Sequence, residues 1–124
     1  MNYSEMSGYE INNRIHNIVA CEGKYDLKVE GYKVTWTERE TGRVIETLRK
    51  QYDKEFKDYL SSWADAGPII QEYLIALKPV PLYVGGYRWF ATEGDGLFGL
   101  KAVDNNPLRA AMMLFLAMQE KANA

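Results

Sequence analysis

From Leu108 to Met118 only Arg109 is not apolar. Asn106 is a good helix cap, and Pro107 sits where proline is favoured, at the first helical position. The spacing predicts a helix running to about Lys121. A helix apolar nearly all round must be covered on several sides. It is therefore a central helix or one buried in an oligomer interface. Its densest part, Ala110 to Met118, is about half of what a membrane span needs. At 124 residues the chain is one domain, residues 1–124.

The covering elements can be read in order. Ser7 and Glu10 have the spacing of a capping box, with Met6 and Ile11 at the staple positions. Ile11, Ile15, Ile18 and Val19 then form one helical stripe, with Asn12, Asn13, His16 and Asn17 off it. After Gly23 the period becomes two. Tyr25, Leu27 and Val29 alternate with polar residues, as do Tyr32, Val34 and Trp36. A two-residue turn at Glu30-Gly31 would oppose Val29 to Tyr32, Leu27 to Val34 and Tyr25 to Trp36. The rival is one strand with a bulge at Gly31. For Arg43 to Leu48, a four-residue loop pairs Glu38 with Arg43 and Trp36 with Ile45, satisfying charge and burial together.

Arg49 to Asp58 reads as the strand's end and a solvated connection. Ser62 and Asp65 suit the start of a short helix, shortened or kinked by Pro68. Leu74 to Leu77 continues that helix or forms a strand, ended by Pro79 and Pro81. Tyr83 to Leu100 reads as a strand pair turning at Gly94-Asp95-Gly96. The predicted class is α+β: a single-domain α/β/α sandwich around a largely antiparallel sheet, with N-terminal and C-terminal helices.

Fifteen Lys and Arg against seventeen Asp and Glu give a net charge of −2. Between Lys24 and Asp58 nine basic residues face eight acidic ones. No segment has the basic excess that displaces counterions from phosphate, so nucleic acid is not the expected partner. A patch assembled from distant residues stays open. Cys21 is the single cysteine, which fits a reducing cytoplasm. The N-terminus lacks signal-peptide regions, and no membrane span is expected.

Little of the chemistry is legible. Gly94 to Gly99 matches G-x-G-x-x-G, but Leu100 to Asn106 separate it from the following helix, so a glycine-rich hairpin is the better assignment. His16 is the one histidine. Cys21 follows at a spacing that does not share its helix face, and no nucleophile–base order is visible. One His and one Cys make a zinc site improbable, and no metal or other cofactor is expected. Glu93, Asp95 and Asp104 can gather near one loop and bind a cation, though turns use Asp for local hydrogen bonds. Arg109 lies in the first turn of an apolar helix, where the dipole disfavours a cation. It pairs with Asp104 or Asp65, or it holds an anion beside free amides. The speculative ligand-binding set is Arg109, Trp89, Tyr87, Arg88 and Asp95, and the catalytic set is empty.

Three blocks carry a family resemblance: Met1 to Ser7 with Tyr9-Glu10-Ile11-Asn12, Ala64-Asp65-Ala66-Gly67-Pro68-Ile69-Ile70, and Asn106-Pro107-Leu108-Arg109-Ala110-Ala111-Met112. Together they resemble small tailed-phage proteins of the NinX-like type. The middle block is similar to their "ADAWPII" motif with Gly67 for tryptophan, and Trp63 stands where proline is usual. The last is similar to their closing "NPLRAAM". The resemblance implies a phage "ABA sandwich" fold with helices on both sides of a sheet, and it transfers no catalytic residue. The expected function is a phage or prophage accessory protein, a non-catalytic binding module for a host or phage protein in the bacterial cytoplasm. Self-association through Leu108–Met118 is possible on this view. The alternatives are a nucleotide-like ligand binder and, more distantly, a metal-dependent hydrolase.

Overall fold

The computed structural model describes residues 2–48, 57–94 and 99–123. A 3-10 turn at Tyr3–Glu5 leads into helix α1, Gly8–Ala20. Strands β1 (Tyr25–Glu30), β2 (Lys33–Glu38) and β3 (Val44–Leu48) follow, then helix α2 (Trp63–Glu72). Strands β4 (Ile75–Pro81), β5 (Tyr87–Glu93) and β6 (Lys101–Asp104) precede helix α3, Pro107–Ala122. The strands form two antiparallel sheets in sequence order, β1-β2-β3 and β4-β5-β6, called sheet A and sheet B here. The class is α+β with helices at both ends, as predicted.

Helix α3 is the centre. Leu108 and every residue from Ala110 to Leu116 are buried. It packs on all three strands of sheet B and on α1, α2 and the 3-10 turn. The cover demanded by its apolar circumference comes from within the chain. Tyr73 and Phe115 meet edge to face at 4.9 Å, a geometry their ring quadrupoles favour.

Helix α1 is a shared layer. Ile11 and Ile15 join the core around α3, while Asn17 and His16 face Tyr25 and Trp36 of sheet A. Helix α1 therefore lies between sheet A and α3. Its residues off the apolar stripe are not a solvent face. Asn12, Asn13 and Asn17 are buried, while Val19 is exposed. Asn12 accepts from the Tyr59 amide (2.9 Å) and donates to Asp58 (3.1 Å). Asn17 donates to the Tyr25 carbonyl (2.8 Å) and accepts from its amide (3.3 Å). Asn13 donates to the Tyr9 carbonyl at 2.7 Å, and its own buried oxygen has no partner.

Ser7 caps α1 as predicted, accepting from the Glu10 amide at 3.1 Å. The Glu10 carboxylate accepts from Arg14 (2.9 Å), making a side-chain pair one turn along. Sheet A shows one register correction. Val29 opposes Val34, Leu27 opposes Trp36 and Tyr25 opposes Glu38. The turn is Gly31-Tyr32, with Gly31 at φ 60°. A type II′ turn needs positive φ at its first central residue, which glycine supplies and Glu30 resists. The shift is two residues, so the predicted inner face is retained. The β2–β3 register is as predicted, with Trp36 opposite Ile45 and the Glu38 amide donating to Arg43.

Sheet B holds the second correction. Pro79 lies inside β4, which runs on to end at Pro81. The Leu82 amide donates to Gly86 (3.0 Å), so antiparallel alternation points the amides of Val80, Lys78 and Ala76 toward β5. Pro79 and Pro81 take the outward positions of an edge strand, where a missing donor costs nothing in the ladder. The predicted connection at Arg49 to Asp58 falls largely outside the described residues, as do Asp95 to Phe98 of the glycine-rich turn.

The buried asparagines make a test. Asn17→Leu strands both the amide and the carbonyl of Tyr25 and should cost about 2–3 kcal/mol. Asn13→Leu removes an unsatisfied oxygen and should cost under about 1 kcal/mol. Urea unfolding of the two variants checks that order.

Candidate functional site

Arg109 is built into a corner of the fold. Asn106 accepts from the amides of Leu108 (2.9 Å) and Arg109 (3.2 Å), closing the start of α3. The Asn106 amide group donates to the Leu60 carbonyl at 2.9 Å. Asp104 accepts from the Asn106 backbone (2.8 Å) and lies 3.5 Å from the Arg109 guanidinium. Arg109 also donates to the Met6 carbonyl (2.6 Å) and the Ser4 carbonyl (3.4 Å). Gly8 borders this corner: a Cβ there would lie 3.1 Å from a Leu60 methyl, a tight contact, and 4.0 Å from Arg109, an ordinary one. Of the two fates predicted for Arg109, the pair with Asp104 is the one observed, and the amides beside it are capped.

The other proposed ligand residues do not converge on it as a set. Trp89 opposes Asp104 across β5 and β6 and packs against the core. Tyr87 precedes it on the same side of the strand and is 57% exposed. Arg88 points to the opposite face by strand alternation. Asp95 lies outside the described residues. Glu93 accepts from the Leu100 amide at 2.8 Å, and Asp104 is engaged at the α3 corner. Among the described residues no three His, Cys, Asp or Glu side chains gather as a metal site. The glycine-rich segment joins two antiparallel strands, β5 and β6, which is a hairpin and not a strand-to-helix phosphate loop.

Two concave sites lie elsewhere. The larger is a cleft of about 690 Å³ between α1, β1 and the end of α3. Paired groups line it. Arg14 meets Glu10 at 2.9 Å, and Arg39 meets Asp26 at 2.8 Å. The Tyr3 hydroxyl donates to Glu120 at 2.6 Å. Burial and the Glu120 carboxylate push the Tyr3 phenol well above its ordinary pKa of 10.0, and the Tyr3 bond holds Glu120 below 4.5. Such a wall can hydrogen-bond a polar ligand but holds no activated nucleophile. None of Arg109, Trp89, Tyr87 or Arg88 lines it. Only its separate contributors were legible in sequence, because the cleft forms where three distant segments meet.

The smaller site, about 140 Å³, is lined by His16, Cys21, Tyr25, Trp36, Ile45 and Thr47. His16 and Cys21 meet around it although their spacing is not helical, because α1 stops at Ala20. His16 packs edge-on to Trp36 at 6.0 Å. Burial lowers the His16 pKa from 6.5 and raises that of the Cys21 thiol, with Lys24 opposing the latter. Both shifts favour the neutral forms of the pair.

Asp58 bonds Asn12, Leu60 and Ser61. Burial alone would raise its pKa. Hydrogen bonds from Ser61, Asn12 and the Leu60 and Ser61 backbone outweigh that and hold it below 3.8.

The family model described as "Bacteriophage P22, NinX" matches residues 2–119. No curated protein and no solved structure matches the chain.

Two outcomes follow from this geometry. Arg109→Met removes the donor to Met6 and Ser4 and leaves Asp104 unpaired, for an expected loss of roughly 1.5–3 kcal/mol. Hydrogen exchange should show the Tyr3–Glu5 turn released. For pH, the folded value of His16 lies below 6.5, so the unfolded chain takes the proton first and stability falls as pH drops below that value. Asp58 acts with the same sign below 3.8. His16→Asn should flatten the fall between about pH 6.5 and about pH 5, read as urea midpoints.

Proposed function

The chain belongs to the bacteriophage P22 NinX family, and from that premise we propose that it is a phage accessory protein acting by binding a host or phage protein, without catalysis, in the bacterial cytoplasm. The observation that carries this is the tip of the β4–β5 hairpin. Tyr83 is 106% exposed, Val84 90% and Tyr87 57%. The tip is not slack. The Leu82 amide donates to Gly86 and the Gly85 amide to Leu82, both at 3.0 Å. Gly85 takes φ 99°, the left-handed residue of a three-residue hairpin loop. A tip whose backbone is fixed presents these side chains to water, where docking would bury them as interface anchors. The directions of the Cys21 and Tyr3 pKa shifts, away from activation, support a non-catalytic role.

Self-association through Leu108–Met118 would have little surface to use. Residues 108 and 110–116 are already buried, leaving Ala117 to Gln119 half-buried at the end of α3. The small-ligand alternative is favoured by the 690 Å³ cleft, and on this view its ligand would be polar and Arg109 would not line its site.

Photocrosslinking from position 83 in phage-infected bacteria, followed by native mass spectrometry, tests the proposal. A discrete protein adduct that Val84→Asp abolishes is expected. A bare chain under both methods overturns it. A small-molecule mass lost in Arg39→Ala would instead favour the cleft.

A further inference from the structure

The two sheets treat their outward cations differently. On sheet A, Lys28 meets Glu30 at 3.1 Å and Lys33 meets Glu46 at 3.6 Å. Sheet B turns one face to α3 and the other away from it. Register places Lys78 opposite Phe90, Phe90 opposite Val103, and Thr92 opposite Lys101. Arg88 is two residues before Phe90 on β5 and so shares its face. The outward face therefore centres on the half-buried ring of Phe90. Lys78 is directly across, at a Cβ spacing of about 5 Å, and Lys101 lies on the diagonal at about 7–8 Å. Lys78, Arg88 and Lys101 are all exposed. None of the three has an ion-pair partner among the described residues. The described strand residues on this face include no Asp or Glu.

We propose that the outward face of sheet B binds single-stranded nucleic acid. Three cations drawn from three strands offer phosphate contacts, and the aromatic ring among them offers a base-stacking surface. Charge complementarity selects a polyanion. The aromatic centre favours nucleic acid over an acidic peptide, because bases present flat faces along with phosphates. An acidic peptide adding a strand at the β4 edge would find no amide at Pro79 or Pro81. The chain's net charge of −2 does not oppose this. Among the described residues Arg14, Lys24, Lys28, Lys33, Arg39 and Arg109 each meet a carboxylate, whereas the three cations on this face do not.

The test is fluorescence anisotropy of the full chain with a labelled oligothymidylate of about 20 nucleotides, from about 50 to about 200 mM salt. Three phosphate contacts predict a slope of log affinity against log salt near −2 (about 0.7 per contact). Lys78→Ala and Lys101→Ala should each flatten it by about 0.7. Phe90→Leu should weaken binding by about fivefold or more at unchanged slope. Lys28→Ala with Lys33→Ala, on sheet A, should change nothing. Circular dichroism confirms that each variant is folded. Absence of binding at the lowest salt, or binding indifferent to the sheet B variants, overturns the proposal. Equal binding of a labelled polyglutamate peptide would also overturn it, assigning the face to acidic proteins.

Discussion

Water will not tolerate α3 on any side, and the fold is the means of keeping water from it. Leu108 and Ala110 to Leu116 are buried around the full turn of the helix. One sheet covers one flank, and α1, α2 and the N-terminal turn cover the rest. Burial of this kind is non-directional. It specifies that cover must exist but not how each piece is oriented.

Polar contacts supply the orientation. Asn12 and Asn17 bind backbone on opposite flanks of α1, fixing residues 58–59 on one side and β1 on the other. Arg109 and Asn106 fix the start of α3 to the N-terminal segment and to Leu60. Each contact satisfies backbone groups that would otherwise be stranded where secondary structure ends. The blocks around Asn12 and around Asn106 to Met112 that resemble phage sequences thus hold residues whose side chains set the packing.

Much of this was legible because it is local. Periodicity gave α1 and α3, the Ser7 and Ser62 caps and the inner residues of sheet A. Charge and burial together gave the β2–β3 register. What was not legible depends on a second partner. Asn12, Asn13 and Asn17 read only as residues off the apolar stripe, because nothing in α1 announces that residues 58–59 will bind Asn12 and β1 will bind Asn17. Pro79 read as a terminator of β4 because the tolerance of proline depends on which side of the strand has a neighbour. The cleft and the basic face of sheet B are assembled from residues scattered along the chain, where a count over any one segment stays balanced.

The same prolines have a further effect. Of the four outward positions on β4 (Ile75, Leu77, Pro79 and Pro81), the two nearest the tyrosine-bearing tip carry no amide. A stray strand approaching there meets acceptors without alternating donors and cannot zip along the edge. The hairpin can thus hold its most apolar surface out in water without becoming a template for aggregation.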